Sequence, residues 1–238
     1  YETNLQFGPY SVRLSKGICE VIVYSPNHSK RLSTMEITDI RSVVDKWIET
    51  YERLGAKNEI KYVLIFENRG SIMGCSQPHP HGQVYAFGEI PDLMIKPQIY
   101  EFKRYREKTG SCFVCEANMF ELDDKRRIVA VNKSFVAYVP FAAIHPYDIA
   151  VVPLNHIAHI KELNDLERSD LALILKDTLS GLDNLFKIPY HYSLALIQAP
   201  TDGMDYGYHM QIHLTSLLLG RGIRKHVVGA DIYGMIIN

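Results

Sequence analysis

The 238 residues carry 26 Lys and Arg against 27 Asp and Glu, a formal charge of -1, and 47% hydrophobic side chains. Such a chain buries one sizeable core or two smaller ones, and its scattered basic residues give no electrostatic footprint for nucleic acid. No apolar run approaches the roughly 20 residues that span a bilayer, and no secretory signal opens the chain, so the expected compartment is the cytoplasm.

In chain order, VIVYSPNHSK (21–30) reads as the end of a strand closed by Pro-Asn-His, with His28 at its exit. Ser33 and Glu36 then stand at capping-box spacing. Ile40, Val43, Val44, Trp47, Tyr51 and Leu54 recur at helical period as far as Gly55. KYVLIFEN (61–68) is an apolar strand, and after a loop comes PHPHGQ (78–83). Cys112 and Cys115 follow in GSCFVCEA. IAVVPLNHIAH (149–159) closes a second strand at His156, Asn164 and Glu167 repeat the capping spacing, and Leu171, Ile174, Leu175, Leu179 and Leu182 line a second helix. YSLALIQA (192–199) and the histidine cluster YHMQIH (208–213) complete the series.

The second series repeats the first. His28 and His156 are 128 residues apart, Ser33 and Asn164 are 131 apart, and His79 and His209 are 130 apart. Matched features in one order at nearly one offset predict a duplicated strand–helix–strand–strand unit. The expected fold is α+β, with antiparallel sheets and flanking helices. The boundaries fall at 1–105 and 106–238. The copies differ in chemistry: at the offset of 130, His81 corresponds to Gln211.

Two cysteines three positions apart can share one tetrahedral zinc ion in a tight turn. Cys112 and Cys115 with His156 and His209 make a closed Cys₂His₂ set, structural rather than catalytic. The plainer alternative is two reduced thiols and two core histidines. A redox role is disfavoured, because no parallel βαβ pattern surrounds the pair. Cys115 precedes His156 by 41 residues, and the same spacing before His28 gives 28 − 41 = −13. The first unit is therefore expected to be incomplete at its N-terminus, with His28 and His79 half of a second metal site.

His81 follows a proline-stiffened turn, which limits its freedom to swing away. Neutral imidazole attacks phosphorus well and leaves it well, provided one ring nitrogen donates a hydrogen bond that fixes the tautomer. Gln83 and Ser76 can donate to phosphate oxygens as charge develops, a contribution of about 3 kcal/mol per donor. The alternatives are a surface metal-binding tract for Pro-His-Pro-His, a solvated strand residue for Gln83 and a turn former for Ser76.

FENRGSIMGCSQPHPHGQVYA (66–86) closely resembles the active-site segment of the galactose-1-phosphate uridylyltransferases, a branch of the histidine triad superfamily. YSPNHSK, AYVPFAAIHPYDIAVVPLNH (137–156), DLERSDLALILKDTLSGLDNLF (165–186) and IRKHVVGADIY (223–233) resemble further family segments in the same order. The resemblance implies ping-pong transfer of UMP from UDP-glucose to galactose 1-phosphate, with His81 as nucleophile and a uridylyl-histidine between the half-reactions. It implies substrate contacts by Asn68, Gly74, Cys75, Ser76, Gln83, Lys225 and Asp231. It also implies zinc at Cys112, Cys115, His156 and His209, and a metal at His28 and His79 completed by upstream cysteines. A homodimer is implied in which the segment from Lys225 to Asp231 reaches the partner's site. Gln77 stands where the family usually has Asn, and Ala230-Asp231 where many members have Tyr-Glu; the shorter Asp231 leaves the hexose open. Two other readings remain: an adenylyl-transferring relative acting on ADP-glucose, and a non-catalytic zinc- or nucleotide-binding module.

Overall fold

The computed structural model describes residues 4–13 and 15–226. A short hairpin comes first, β1 (Asn4–Phe7) and β2 (Tyr10–Arg13). The first repeat comprises β3 (Gly17–Val23), α1 (Ile37–Gly55), β4 (Tyr62–Arg69) and β5 (His81–Phe87). Two helices follow, α2 (Ile95–Thr109) and α3 (Phe113–Asp124), then β6 (Ile128–Val131) and β7 (Phe135–Tyr138). The second repeat comprises β8 (Ile149–Pro153), α4 (Asp165–Phe186), β9 (Tyr192–Ile197) and β10 (Gln211–Thr215). A two-stranded ribbon of β11 (Leu218–Gly220) and β12 (Ile223–Arg224) ends the described part. No helix among the described residues is long and apolar enough to cross a membrane.

The α+β class and the antiparallel pairing agree with the sequence reading, but the two repeats do not keep separate sheets. Eight strands form one antiparallel sheet in the order β3-β5-β4-β9-β10-β8-β7-β6. The seam is the pairing of β4 with β9, which sets Phe66 opposite Ala195 and Asn68 opposite Ser193. One sheet serves both repeats because β4 and β9 are apolar on both faces, and such strands belong in the interior of a sheet. Helices α1 and α4 lie together on one face. Trp47, Ile40 and Leu54 of α1 and Leu171, Leu175 and Leu179 of α4 enter the same core as Val63, Ile65, Leu194 and Leu196. Trp47 has no exposed surface; truncating such a side chain to alanine costs about 3–5 kcal/mol.

The two helix starts differ. The second capping box forms: Asn164 Oδ1 accepts from the Glu167 amide at 3.0 Å, and Glu167 Oε2 accepts from the Asn164 amide at 2.9 Å. The first does not. Ser33 lies in a 3-10 turn (Leu32–Thr34), Glu36 is the residue before α1, and its side chain makes no capping bond. Ser33 Oγ donates instead to Asp183 Oδ2 of α4 at 2.7 Å, beside Arg31 Nε at 3.1 Å. The serine was recruited to tie the repeats together, and a carboxylate acceptor offers a stronger bond than a backbone amide offers at a cap.

Candidate active site and metal centre

The two histidines of PHPHGQ have different surroundings. His81 opens β5, and its register partner is Val23 on β3. Alternation along β5 buries Gly82, Val84 and Ala86 against the helices and turns His81 and Gln83 to the opposite face, each half-buried. His81 Nδ1 lies 2.7 Å from the carbonyl oxygen of His79. A carbonyl only accepts, so Nδ1 carries the proton and Nε2 of the neutral ring holds the free lone pair. That is the tautomer a nucleophilic imidazole needs.

Gly82, between His81 and Gln83, is required by packing. A Cβ there would stand 2.2 Å from the Tyr24 hydroxyl and 2.9 Å from its ring. Tyr24 cannot withdraw. It is buried, its hydroxyl meets Trp47 Nε1 at 3.3 Å, and its amide donates to the Pro80 carbonyl at 3.0 Å. A glycine inside a strand signals such a close approach, so this contact had a trace in the sequence. Tyr24 itself had none.

Beside β5, Asn68 on β4 accepts from Ser193 Oγ of the second repeat at 2.9 Å. Ser193 is a partner of Asn68 from the second repeat that sequence reading missed. One residue earlier in the alternation, Glu67 points the other way and is 2% exposed. Its Oε1 accepts from Tyr192 at 3.1 Å, while Oε2 has no partner within the described protein. Burial pushes this carboxyl up to about 8, against the Tyr192 bond and the Arg69 charge, which pull it down. At neutral pH it is an uncharged acid on the helix-covered face of the sheet.

The loop from Gly70 to Pro80 is a turn with Gly70 and Gly74 at φ of 85° and 77°, a region that disfavours side chains. At Gly70 space is short as well, since a Cβ would overlap the His191 ring at 2.3 Å. Cys75 Sγ donates to the Gln77 carbonyl at 2.9 Å, and Ser76 is exposed at the tip. Lys225 follows β12, and its amide donates to the Leu217 carbonyl at 2.6 Å. Leu217 in turn donates to Met73 Sδ of the loop at 3.4 Å, so the segment leading into the ribbon touches the Gly70–Pro80 loop. Asp231 lies outside the described residues.

His79 and His28 meet, with their Nδ1 atoms 2.7 Å apart and rings edge to face. A tetrahedral zinc bound by both nitrogens would hold them about 3.3 Å apart. As placed, the pair is a hydrogen bond between two solvent-facing imidazoles.

The second cluster fits a metal better. Cys112, Cys115, His156 and His209 offer one ligand atom each, all within 4.8 Å of one another. Cys115 Sγ lies 3.4 Å from His209 Nδ1 and 3.6 Å from His156 Nδ1, and Cys112 Sγ lies 3.7 Å from His209 Nδ1. With Zn–S near 2.3 Å and Zn–N near 2.0–2.1 Å, a tetrahedron has sulfur–nitrogen edges of about 3.6 Å. His209 Nε2 donates to the Pro153 carbonyl at 3.0 Å, which leaves Nδ1 unprotonated toward the sulfurs, the outer-shell arrangement of a ligating histidine. Burial and the neighbouring Cys112 push the Cys115 thiol up to about 12. One detail differs from expectation. The cysteines do not sit in a tight turn; Cys112 is the residue before α3 and Cys115 lies in its first turn. One helical turn separates them and puts both on one side, which serves the same spacing.

Two family models match the chain, described as the N-terminal and C-terminal domains of galactose-1-phosphate uridyl transferase, over residues 5–91 and 98–236. The chain is 37% identical over 223 residues to the galactose-1-phosphate uridylyltransferase of Haemophilus influenzae, covering 92% of this chain and 63% of that protein. To the enzyme of the same name from Thermotoga maritima it is 33% identical over 207 residues, covering 87% and 64%. The chain thus spans somewhat under two thirds of these relatives' length. A solved uridylyltransferase superposes with a TM-score of 0.87 at 28% identity, over 96% of this chain and 73% of that one. An ADP-glucose phosphorylase from Arabidopsis thaliana with bound ADP-glucose gives 0.81 at 26%, over 91% and 67%.

Proposed function

Because the chain belongs to the galactose-1-phosphate uridylyltransferase family, we propose that it moves UMP from UDP-glucose to galactose 1-phosphate by way of a uridylyl-histidine at His81. The observation that carries this reading is the bond from His81 Nδ1 to the His79 carbonyl, which leaves Nε2 as the attacking atom. In the first half-reaction Nε2 bonds to the α-phosphorus and the bond to the bridging oxygen breaks. Glucose 1-phosphate departs with that electron pair. In the second, a phosphate oxygen of galactose 1-phosphate attacks the same phosphorus and His81 leaves as neutral imidazole.

Gln83, on the same strand face as His81, and Ser76, at the loop tip, donate to the non-bridging oxygens as negative charge gathers there. Asn68 lends its amide to the nucleotide, and the backbone at Gly74 and Cys75 passes close to the phosphates. Lys225 and Asp231 belong to the site of a partner protomer, so the acting species is a cytoplasmic homodimer. Residues 1–105 form the catalytic unit and 106–238 the supporting one. Zinc bound by Cys112, Cys115, His156 and His209 has no open position and serves as a cross-link from α3 to the ends of β8 and β10. His28 and His79 contribute to a second metal centre only with further ligands.

A second reading rests on the ADP-glucose phosphorylase neighbour, which shares the fold. It ranks lower because relatives at 33–37% identity carry the uridylyltransferase name. Turnover decides between them. UDP-glucose with galactose 1-phosphate should give UDP-galactose, and ADP-glucose with phosphate should give no ADP. The reverse pattern would replace the first reading with the second, and nucleotide binding without turnover in either assay would reduce the protein to a binding module.

A further inference from the structure

The segment Pro78-His79-Pro80 has a supply problem. Its two prolines have no amide hydrogen, so a strand ladder has little to hold, yet the nucleophile directly follows. The structure holds the segment by its acceptors instead. Three consecutive carbonyls each receive one donor: Pro80 from the Tyr24 amide at 3.0 Å, His79 from His81 Nδ1 at 2.7 Å, and Pro78 from Arg69 Nη1 at 2.9 Å. The first donor is the backbone amide just after β3 and the second is the ring of His81 itself. Only the third comes from a side chain of another element, Arg69, whose charge also bears on Glu67 but whose hydrogen bond is to this carbonyl.

Arg69 ends β4, opposite Tyr192 of β9. Among the described residues no carboxylate lies within ion-pair distance of its guanidinium; the recorded bond is the one to the loop. A long cation that spends its ordering entropy on a single carbonyl, rather than on an ion pair, is placed for that carbonyl.

We propose that Arg69 is the positioning residue of the nucleophile loop. By holding the Pro78 carbonyl it fixes His79, and through the His79 carbonyl it fixes the tautomer and aim of His81. The inference rests on the transfer reading given above for the consequence it has on rate. The tautomer is an observable that does not depend on that reading.

The test compares the intact wild-type protein with Arg69→Met, which keeps length and apolar stem, and Arg69→Lys, which keeps one cationic donor. Rapid-quench formation of the nucleotidyl adduct from UDP-glucose should slow about 30-fold at saturating donor in Arg69→Met, since misplacement by a fraction of an ångström is costly in rate. The apparent KM and the unfolding midpoint should barely move. Arg69→Lys should stay within about 5-fold of wild type, and added guanidinium should return part of the lost rate to Arg69→Met. In parallel, nitrogen-15 NMR of the neutral His81 ring should show the proton on Nδ1 in wild type and a mixture of tautomers in Arg69→Met. Wild-type rate in Arg69→Met, or a loss confined to KM or accompanied by an equal loss in Arg69→Lys, overturns the proposal. If wild type forms no adduct, the transfer reading fails on its own, and an unchanged His81 tautomer in Arg69→Met would then overturn the clamp as well.

Discussion

Replacing Glu67 by glutamine isolates one buried proton. The carboxyl is 2% exposed, accepts one bond from Tyr192 and leaves Oε2 without a partner. Burial raises it from an ordinary 4.5 to about 8. A carboxyl that holds its proton more tightly when folded contributes full stability below pH 4.5 and loses it as pH rises through 8. Over that interval of about 3.5 units, at about 1.4 kcal/mol per unit, the loss is on the order of 5 kcal/mol. Glutamine keeps the acceptor for Tyr192 and cannot ionise. Urea unfolding of wild type and Glu67→Gln at half-unit steps from pH 4 to 9 gives the difference directly. The curves should coincide near pH 4 and separate steadily, with the variant several kcal/mol more stable by pH 9. A difference that is flat across the range would mean that Glu67 is ionised or solvated in the folded state, and the account of the strand's underside would be wrong.

Cys115→Ser should remove bound zinc and lower the unfolding midpoint by at least roughly 5 °C, with a smaller effect on chemistry at His81. Metal analysis and calorimetry check this, and wild type free of zinc after purification without chelators would refute it. Gly82→Ala should destabilise by about 1–3 kcal/mol, because a methyl cannot fit against the pinned Tyr24 hydroxyl. Adding Tyr24→Phe should recover part of that loss in a double-mutant cycle; strict additivity would show that the clash is relieved elsewhere. Asn164→Ala should cost about 1 kcal/mol, since both bonds of its capping box are formed, whereas Ser33→Ala should act through Asp183 and be silenced by Asp183→Asn. Denaturant melts of the four variants separate the two cases.

Much of the architecture was legible because it is carried by periodicity. The helical spacing from Ile40 to Leu54 and the offset of His28 to His156 both became parts of two strand–helix–strand–strand repeats. The merging of the repeats into one sheet was not legible, since β4 and β9 read alike whether they pair with each other or with a strand of their own unit. Ser33 misled because serine three residues before glutamate is a local signal, and the acceptor that won, Asp183, is 150 residues away. The Cys112, Cys115, His156 and His209 cluster was assembled from spacing and repeat alone, and the four ligand atoms do converge. What surrounds His81 stayed hidden. Tyr24, Glu67 and Ser193 meet partners far away in the sequence, and Arg69 reaches a carbonyl nine residues on; no local pattern marks a residue for a partner that the fold supplies.

The claim on which the rest turns is that His81 becomes covalently nucleotidylated. The most direct measurement is intact mass after incubation with UDP-glucose and no acceptor, followed by peptide mapping under conditions that preserve phosphoramidates. The account predicts one UMP per chain on the peptide containing His81, discharged by galactose 1-phosphate and absent from His81→Asn. No adduct in folded, zinc-loaded protein, or an adduct that persists in His81→Asn, would contradict it.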